Sequence, residues 1–340
     1  MRAFPPSRKI SVFAGLVLLL FSAACGGTRS VSPSAAPATG AVRVSSCGQE
    51  LSFSSPPERV VTLDQSSTET LLALGLQDRM AGTSNLKTAV APQYRAAYDS
   101  VPVLNPKILT GEQLRAATPD LVVSSFAALY TKDRVGTREE LRGLGLPSYV
   151  SVVDCPQAGG AGPTPFDLLL RDYENLGRIF RVEDRAAKLI AEQRRVIDRA
   201  SKGRSAVTGE VTVVWLYSVY AGLPYVAGHG GMPSAMSELV GVRNAFDDVD
   251  EDWPEVSWEE IARRDPDVIV IGDLSERGAP GDSAAEKLDM LRKEPTMSQL
   301  TAVKANRVIE VPGIEMDPSV RTVNTLGLFV EGLRKLGHVR

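Results

Sequence analysis

Histidine is almost missing from this chain: of 340 residues only His229 and His338 carry an imidazole. A catalytic dyad therefore has one plausible base, His229, and no run shows the clustered histidines and carboxylates that hold a bare metal ion. No G-x-S-x-G sequence occurs, which removes the nucleophile elbow of many hydrolases. Positive charge is also scarce. The 38 Lys and Arg face 41 acids, a formal net charge of −3. A nucleic-acid face is not indicated. Long apolar runs are missing too, because the best candidate, Ile10 to Phe21, is too short for a comfortable membrane span.

That run follows Arg2, Arg8 and Lys9 and ends in small residues, so residues 1–24 are expected to be an export signal. Their removal takes away three positive charges and shifts the balance to −6. Ser22-Ala23-Ala24-Cys25 resembles a bacterial lipobox, in which Cys25 is acylated, although Ser22 stands where an aliphatic residue is usual. Ordinary cleavage after Ala24 is the other reading. Residues 25–42 (GGTRSVSPSAAPATGA and its flanks) are small, polar and proline-dotted, a tether that cannot bury enough apolar surface to fold. Of the three cysteines, assigning Cys25 to lipid leaves Cys47 and Cys155, which an oxidising compartment allows to pair.

What the chain does have is an echo. GEQLRAATPDLVVSS (111–125) and WEEIARRDPDVIVIG (258–272) each run from a glutamate, through a helical stretch, to Pro-Asp and a branched aliphatic strand. Glu112 and Glu259 are 147 residues apart, the size of a domain rather than of a solenoid repeat. Thr110 with Gln113 and Ser257 with Glu260 have capping-box spacing, and so do Ser66 and Glu69 in RVVTLDQSSTETLLALGL. There Val60–Leu63 reads as a buried strand and LLALGL as a helix stopped by Gly75, the first half of a βαβ unit. Residues 166–205 carry a helical apolar stripe with a break near Arg181–Glu183, predicting one helix and then a longer one between the halves. The expected fold is α/β: two Rossmann-like lobes (43–165 and 206–340) joined by connecting helices (166–205).

Taken together, these segments resemble the helical-backbone solute-binding lipoproteins of ABC importers for ferric siderophores, haem and cobalamin. Mycobacterial and related actinobacterial iron-siderophore binders are similar in DQSSTETLLALGLQDR and in the early cysteine. The resemblance covers roughly residues 43–340. It implies a monomeric receptor, not an enzyme, with no cofactor of its own, anchored by lipid to the outer face of the cytoplasmic membrane. It would capture an iron chelate between the lobes and present it to a membrane permease. In this family one glutamate on each lobe pairs with permease arginines, which implies that role for Glu112 and Glu259; a carboxylate in a helix's first turn is favoured by the dipole while still exposed.

Ligand residues are expected in loops after strands. Trp215, Tyr217, Tyr220 and Tyr225 fall within eleven residues of a chain that is 6% aromatic, so they are candidates for a ligand with flat or phenolic surfaces. From the first lobe the candidates are Gln65, Ser66, Ser125, Phe126 and Tyr130. From the second they are His229, Asp273, Glu315, Met316 and Arg321. His229 in GHGG keeps three readings open: a haem ligand, the base of an exported hydrolase acting on siderophore esters, or a glycine-rich turn with a surface histidine.

Overall fold

The computed structural model describes residues 40–155, 162–202, 204 and 207–339. Cys25, the expected signal and nearly all of the expected tether lie outside the described residues. Residues 40–340 form one compact unit, and no described helix is long and apolar enough to cross a membrane.

The first lobe opens with a hairpin, β1 (Val42–Ser46) and β2 (Gln49–Phe53), so regular structure starts at the end of the expected tether. A parallel sheet follows, built from β3 (Val60–Thr62), β4 (Met80–Ser84), β5 (Val103–Asn105), β6 (Leu121–Ser124) and β7 (Ser148–Val150), in the order β5-β4-β3-β6-β7. Its helices are α1 (Gln65–Ala73), α2 (Arg95–Tyr98), α3 (Gly111–Ala116) and α4 (Arg138–Gly143). Two helices cross to the second lobe, α5 (Pro165–Phe180) and α6 (Glu183–Ser201). There β8 (Thr212–Tyr220), β9 (Leu223–Val226), β10 (Arg243–Asn244), β11 (Val268–Asp273) and β12 (Val308–Pro312) make a sheet ordered β10-β8-β11-β12, with β9 antiparallel to the far end of β8. Helices α7 (Met232–Val240), α8 (Trp258–Arg264), α9 (Ala284–Lys293), α10 (Thr301–Lys304) and α11 (Thr322–Lys335) surround it.

The two aliphatic runs after Pro-Asp are the strands β6 and β11, and each feeds two cores. Leu121 and Val123 join one apolar cluster while Val122 joins another; Val268 and Val270 part from Ile269 and Ile271 in the same way. Burial on both faces is why these strands show no polar alternation. The echo extends to the backbone. Thr118 and Asp265, just before the prolines, both adopt left-handed φ, 45° and 43°. The next aspartate then ties its strand to the neighbouring one: Asp120 accepts from the N–H groups of Glu58 (2.7 Å) and Arg59 (2.9 Å), and Asp267 from that of Thr212 (2.8 Å).

The expected break between the connecting helices lies at Arg181, left-handed at φ 54°. The longer helix α6 spans the lobes: Arg185 near its start donates to Leu74 and Gly75 carbonyls at the end of α1, and Gln193 donates to Val320 O ahead of α11.

Cys47 and Cys155 form a disulfide across 108 residues. It fastens the opening hairpin beside β7, where Arg138 also donates to the Ser46, Cys47 and Ser148 carbonyls. Replacing both cysteines by serine should lower stability by about 4 kcal/mol through the unfolded state, read from denaturant unfolding; an unchanged midpoint would show that the hydrogen bonds made by Arg138, Ser46 and Arg178 hold the hairpin without the disulfide.

Candidate functional site

Parallel strands deliver their carboxyl ends to one side of each lobe, and the loops leaving those ends meet in a cleft. A cavity of about 310 Å³ lies there, lined from the first lobe by Gln65, Ser66, Lys87 and Phe126 and from the second by Tyr217, Trp253 and Asp317. A neighbouring opening of about 320 Å³ is bordered by Thr88, Asp273, Glu276 and Arg321, and Ile314 borders both.

The start of α1 shows how the first lobe supplies its part. The helix is capped by Asp64, whose carboxylate accepts from Ser67 N–H (2.9 Å), and not by Ser66. Asp64 also accepts from the Ser124 hydroxyl (2.9 Å) and the Ser125 N–H (2.8 Å) at the end of β6, so one carboxylate locks two strand ends together. With capping done by Asp64, Ser66 and Glu69 turn inward instead of facing each other. Glu69 meets Arg321 of the other lobe at 3.4 Å, and Arg321 also donates to Glu315 at 2.9 Å. Gln65 holds the loop after β4 through the Lys87 and Thr88 N–H groups.

Along β8, residues of one parity pass from core to cleft. Trp215 is fully buried against Phe329, with ring centroids 4.6 Å apart, and donates its indole N–H to Ser237 (2.9 Å). Two residues on, Tyr217 stands where the core ends and stacks on Trp253 at 4.5 Å. Lys87 reaches this pair from the first lobe, 3.4 Å from the Tyr217 hydroxyl, 3.8 Å from Asp317 Oδ2 and 5.8 Å from the Phe126 ring. Burial would lower the Lys87 ammonium, but Asp317 and Tyr217 outweigh it and leave it above the ordinary lysine value. Burial holds the Asp317 carboxyl above its usual range, with Lys87 opposing.

Of the residues expected from sequence, Gln65, Ser66, Phe126 and Tyr217 line this cavity, while Asp273 and Arg321 border its neighbour. Trp215, Tyr130 and Met316 do not reach it. Tyr130 is a core clamp whose hydroxyl bonds Tyr149 O and Val122 O, and Met316 is fully buried. Ser125 is buried behind the cleft on Asp64, and Glu315 is consumed by Arg321. Tyr220 is 72% exposed at the β8–β9 tip, and Tyr225 pairs with Glu255.

His229 is exposed and does not line the cleft. Its GHGG run is a packing device: a Cβ on Gly228 would fall 2.1 Å from Glu251 O, and the Gly228 and His229 N–H groups bond Asp252 O and Val249 O. This seats the acidic loop that presents Trp253. Sequence reasoning missed Trp253, Lys87 and Asp317; the crowding of acids before Trp253 was the one available signal.

Glu112 and Glu259 are both exposed in the first turns of α3 and α8. Their caps, Thr110 and Ser257, share φ −89° and ψ 160°. The capping box is complete at Thr110 and Gln113; at Ser257 only the serine half forms, because Glu260 turns to Arg263 and Arg264.

Burial pushes the Asp154 carboxyl up to about 6; the Ala127 N–H pulls it back, and the charges of Asp252, Asp64 and Asp317 push it further. The native state keeps this proton to about pH 6 while the unfolded chain loses it at about pH 4, so the contribution is full below the lower value and fades as pH rises through both. Asp154→Asn, which retains the acceptor for Ala127, should remove about 2 kcal/mol of the fall in stability between pH 4 and 7, read from urea unfolding at both. An unchanged fall would show the carboxyl to be in contact with bulk water.

The family model for periplasmic binding proteins matches residues 60–314. A cobalamin-binding protein of Halobacterium salinarum is 26% identical over 279 residues, 81% of this chain and 70% of its own length. Among solved structures, a periplasmic binding protein from Veillonella parvula superposes with a TM-score of 0.74 at 25% identity, covering 87% of this chain and 98% of its own. An ABC-type Fe3+-hydroxamate transport system protein from Saccharomonospora viridis gives 0.71 at 27% identity, covering 86% and 98%. With its two parallel-sheet lobes, bridging helices and interlobe cleft, this chain belongs to the periplasmic binding protein family, as a solute-binding component of an ABC importer and not an enzyme.

Proposed function

We propose that the cleft captures a ferric siderophore and that the loaded protein delivers it to an ABC permease. The observation that carries this reading is the tilted contact of Tyr217 with Trp253 and the Phe126 ring from the other lobe, which give a cavity built from both lobes an aromatic wall beside polar side chains such as Gln65, Lys87 and Asp317. The hydroxamate-transport relative supports it. Iron would stay wrapped in the chelator's oxygens, so the protein needs no metal ligands of its own; among the described residues no group of His, Cys, Asp and Glu is arranged for one.

Cobalamin is the second reading, favoured by the name of the Halobacterium relative. Haem loses support because the histidine and three of the four clustered aromatics, Trp215, Tyr220 and Tyr225, lie away from the cavity. The chain would work as a monomer held to the outer face of the cytoplasmic membrane by lipid on Cys25. Glu112 and Glu259, exposed and without an intramolecular partner among the described residues, would pair with permease arginines.

Tryptophan fluorescence should be quenched by a subset of a panel of ferric siderophores, haemin and cobalamin. Trp253→Phe should remove most of that quenching, because Trp253 lines the cavity whereas Trp215 and Trp258 do not. Quenching by haemin alone would overturn the siderophore reading. In cells, Glu112→Ala with Glu259→Ala should reduce iron uptake by about tenfold or more while purified protein keeps its binding curve; a loss of binding would make the two acids structural.

A further inference from the structure

Two residues that line the cavity each bury a polar atom that has no hydrogen-bond partner among the described residues: Ser66 Oγ from the first lobe and Asp317 Oδ2 from the second. Both residues are more than nine-tenths buried. Lys87 Nζ stands 3.8 Å from Asp317 Oδ2, an ion pair beyond hydrogen-bond reach. A buried carboxylate oxygen left in this state costs free energy unless something donates to it. A serine hydroxyl can donate or accept, but a carboxylate oxygen only accepts. The missing partner of Asp317 is therefore a donor.

The charges around the cavity agree. The charges of Asp64 and Asp252 push up the carboxyls of both Asp154 and Asp317. The cations nearby are each engaged within the protein. Arg321 lies between Glu69 and Glu315, Arg277 makes two bonds to Asp282, Lys87 faces Asp317 and Tyr217, and Arg134 donates to Ala128 O. Arg134 bonds only a carbonyl, but drawing Lys87, Arg277 or Arg321 onto an anionic ligand would strip a buried carboxylate of its partner, which costs more than the new contact returns.

We propose that the cleft selects chelates without net negative charge that present an N–H or O–H donor to Asp317 and Ser66. This rests on the siderophore reading and narrows it. Asp317 is then a specificity-determining residue, repelling anionic chelates and anchoring donors.

The test is a set of fluorescence titrations of the full chain with four named probes. Ferrichrome is a neutral tris-hydroxamate with free amide N–H groups, and ferrioxamine B a tris-hydroxamate with an ammonium tail. Ferric enterobactin is a trianionic tris-catecholate, and haemin carries two propionates. Both hydroxamates should bind at least about tenfold tighter than both anions. Asp317→Asn, nearly isosteric and able to donate, should shrink that ratio to below about threefold, the size expected when one charged hydrogen bond becomes neutral. Anions binding as tightly as hydroxamates in the unaltered protein, or a ratio that survives Asp317→Asn, would overturn the proposal. Binding of all four without regard to charge would sink this inference and leave the siderophore reading standing, whereas no binding by any would sink both.

Discussion

Arg321 between Glu69 and Glu315 is the contact on which the two-lobed arrangement turns. Its guanidinium comes from the N-terminal end of α11, one carboxylate from the same lobe and the other from α1 across the gap. Both glutamates are buried, so removing the arginine would leave two carboxylates without compensation. Such a group is a weak source of net stability, since three charges are desolvated to make it. Its value lies in discrimination: the lobes can meet in only one register that satisfies all three. The Ala89 N–H bonded to Glu276 (2.5 Å) and Lys87 near Asp317 extend the same polar seam along the loop after β4.

The echoed segments carry two messages of different kinds. Pro-Asp is architectural, since Asp120 and Asp267 each bond the backbone entering the central strand of their own sheet, and the left-handed residue before each proline ends the helix so that this is possible. The glutamates seven residues earlier do none of this work. They project from capped first turns with no partner among the described residues, whereas Glu260, adjacent to one of them, is held by Arg263 and Arg264. A repeat kept for folding alone would need the Pro-Asp half only.

Much of the fold was legible because it rests on local chemistry. Aliphatic runs buried on both faces, a proline that stops a helix, and caps such as Thr110 with Gln113 are each decided within a few residues. The cleft was legible only in part. Gln65, Ser66 and Phe126 follow strands directly and were found by that rule. Lys87 and Trp253 arrive on loops whose paths are set by distant partners, Gln65 for one and the Gly228 turn for the other. Trp215 and Tyr217 have the same residue class and the same strand parity. Only the depth of the core along β8 separates them, and depth is a tertiary quantity. At α1 the sequence pattern pointed to Ser66 as the cap, and Asp64 takes that place because its carboxylate also satisfies Ser124 and Ser125 from a strand 60 residues away.

The same division would let one scaffold accept different ligands. The sheets, the disulfide and the bridging helices fix where strand ends emerge, and Tyr217 near the end of β8 is where a sheet reaches the cavity. Lys87, Phe126, Trp253 and Asp317 line it from loops, where replacement disturbs the cores least. Asp64 differs from these, because it caps α1, joins β3 to β6 and borders the cavity at once. A change there would alter the scaffold and the ligand environment together. A change of ligand would therefore be made at positions such as Asp317, Lys87 and Trp253 and not at Asp64 beneath them.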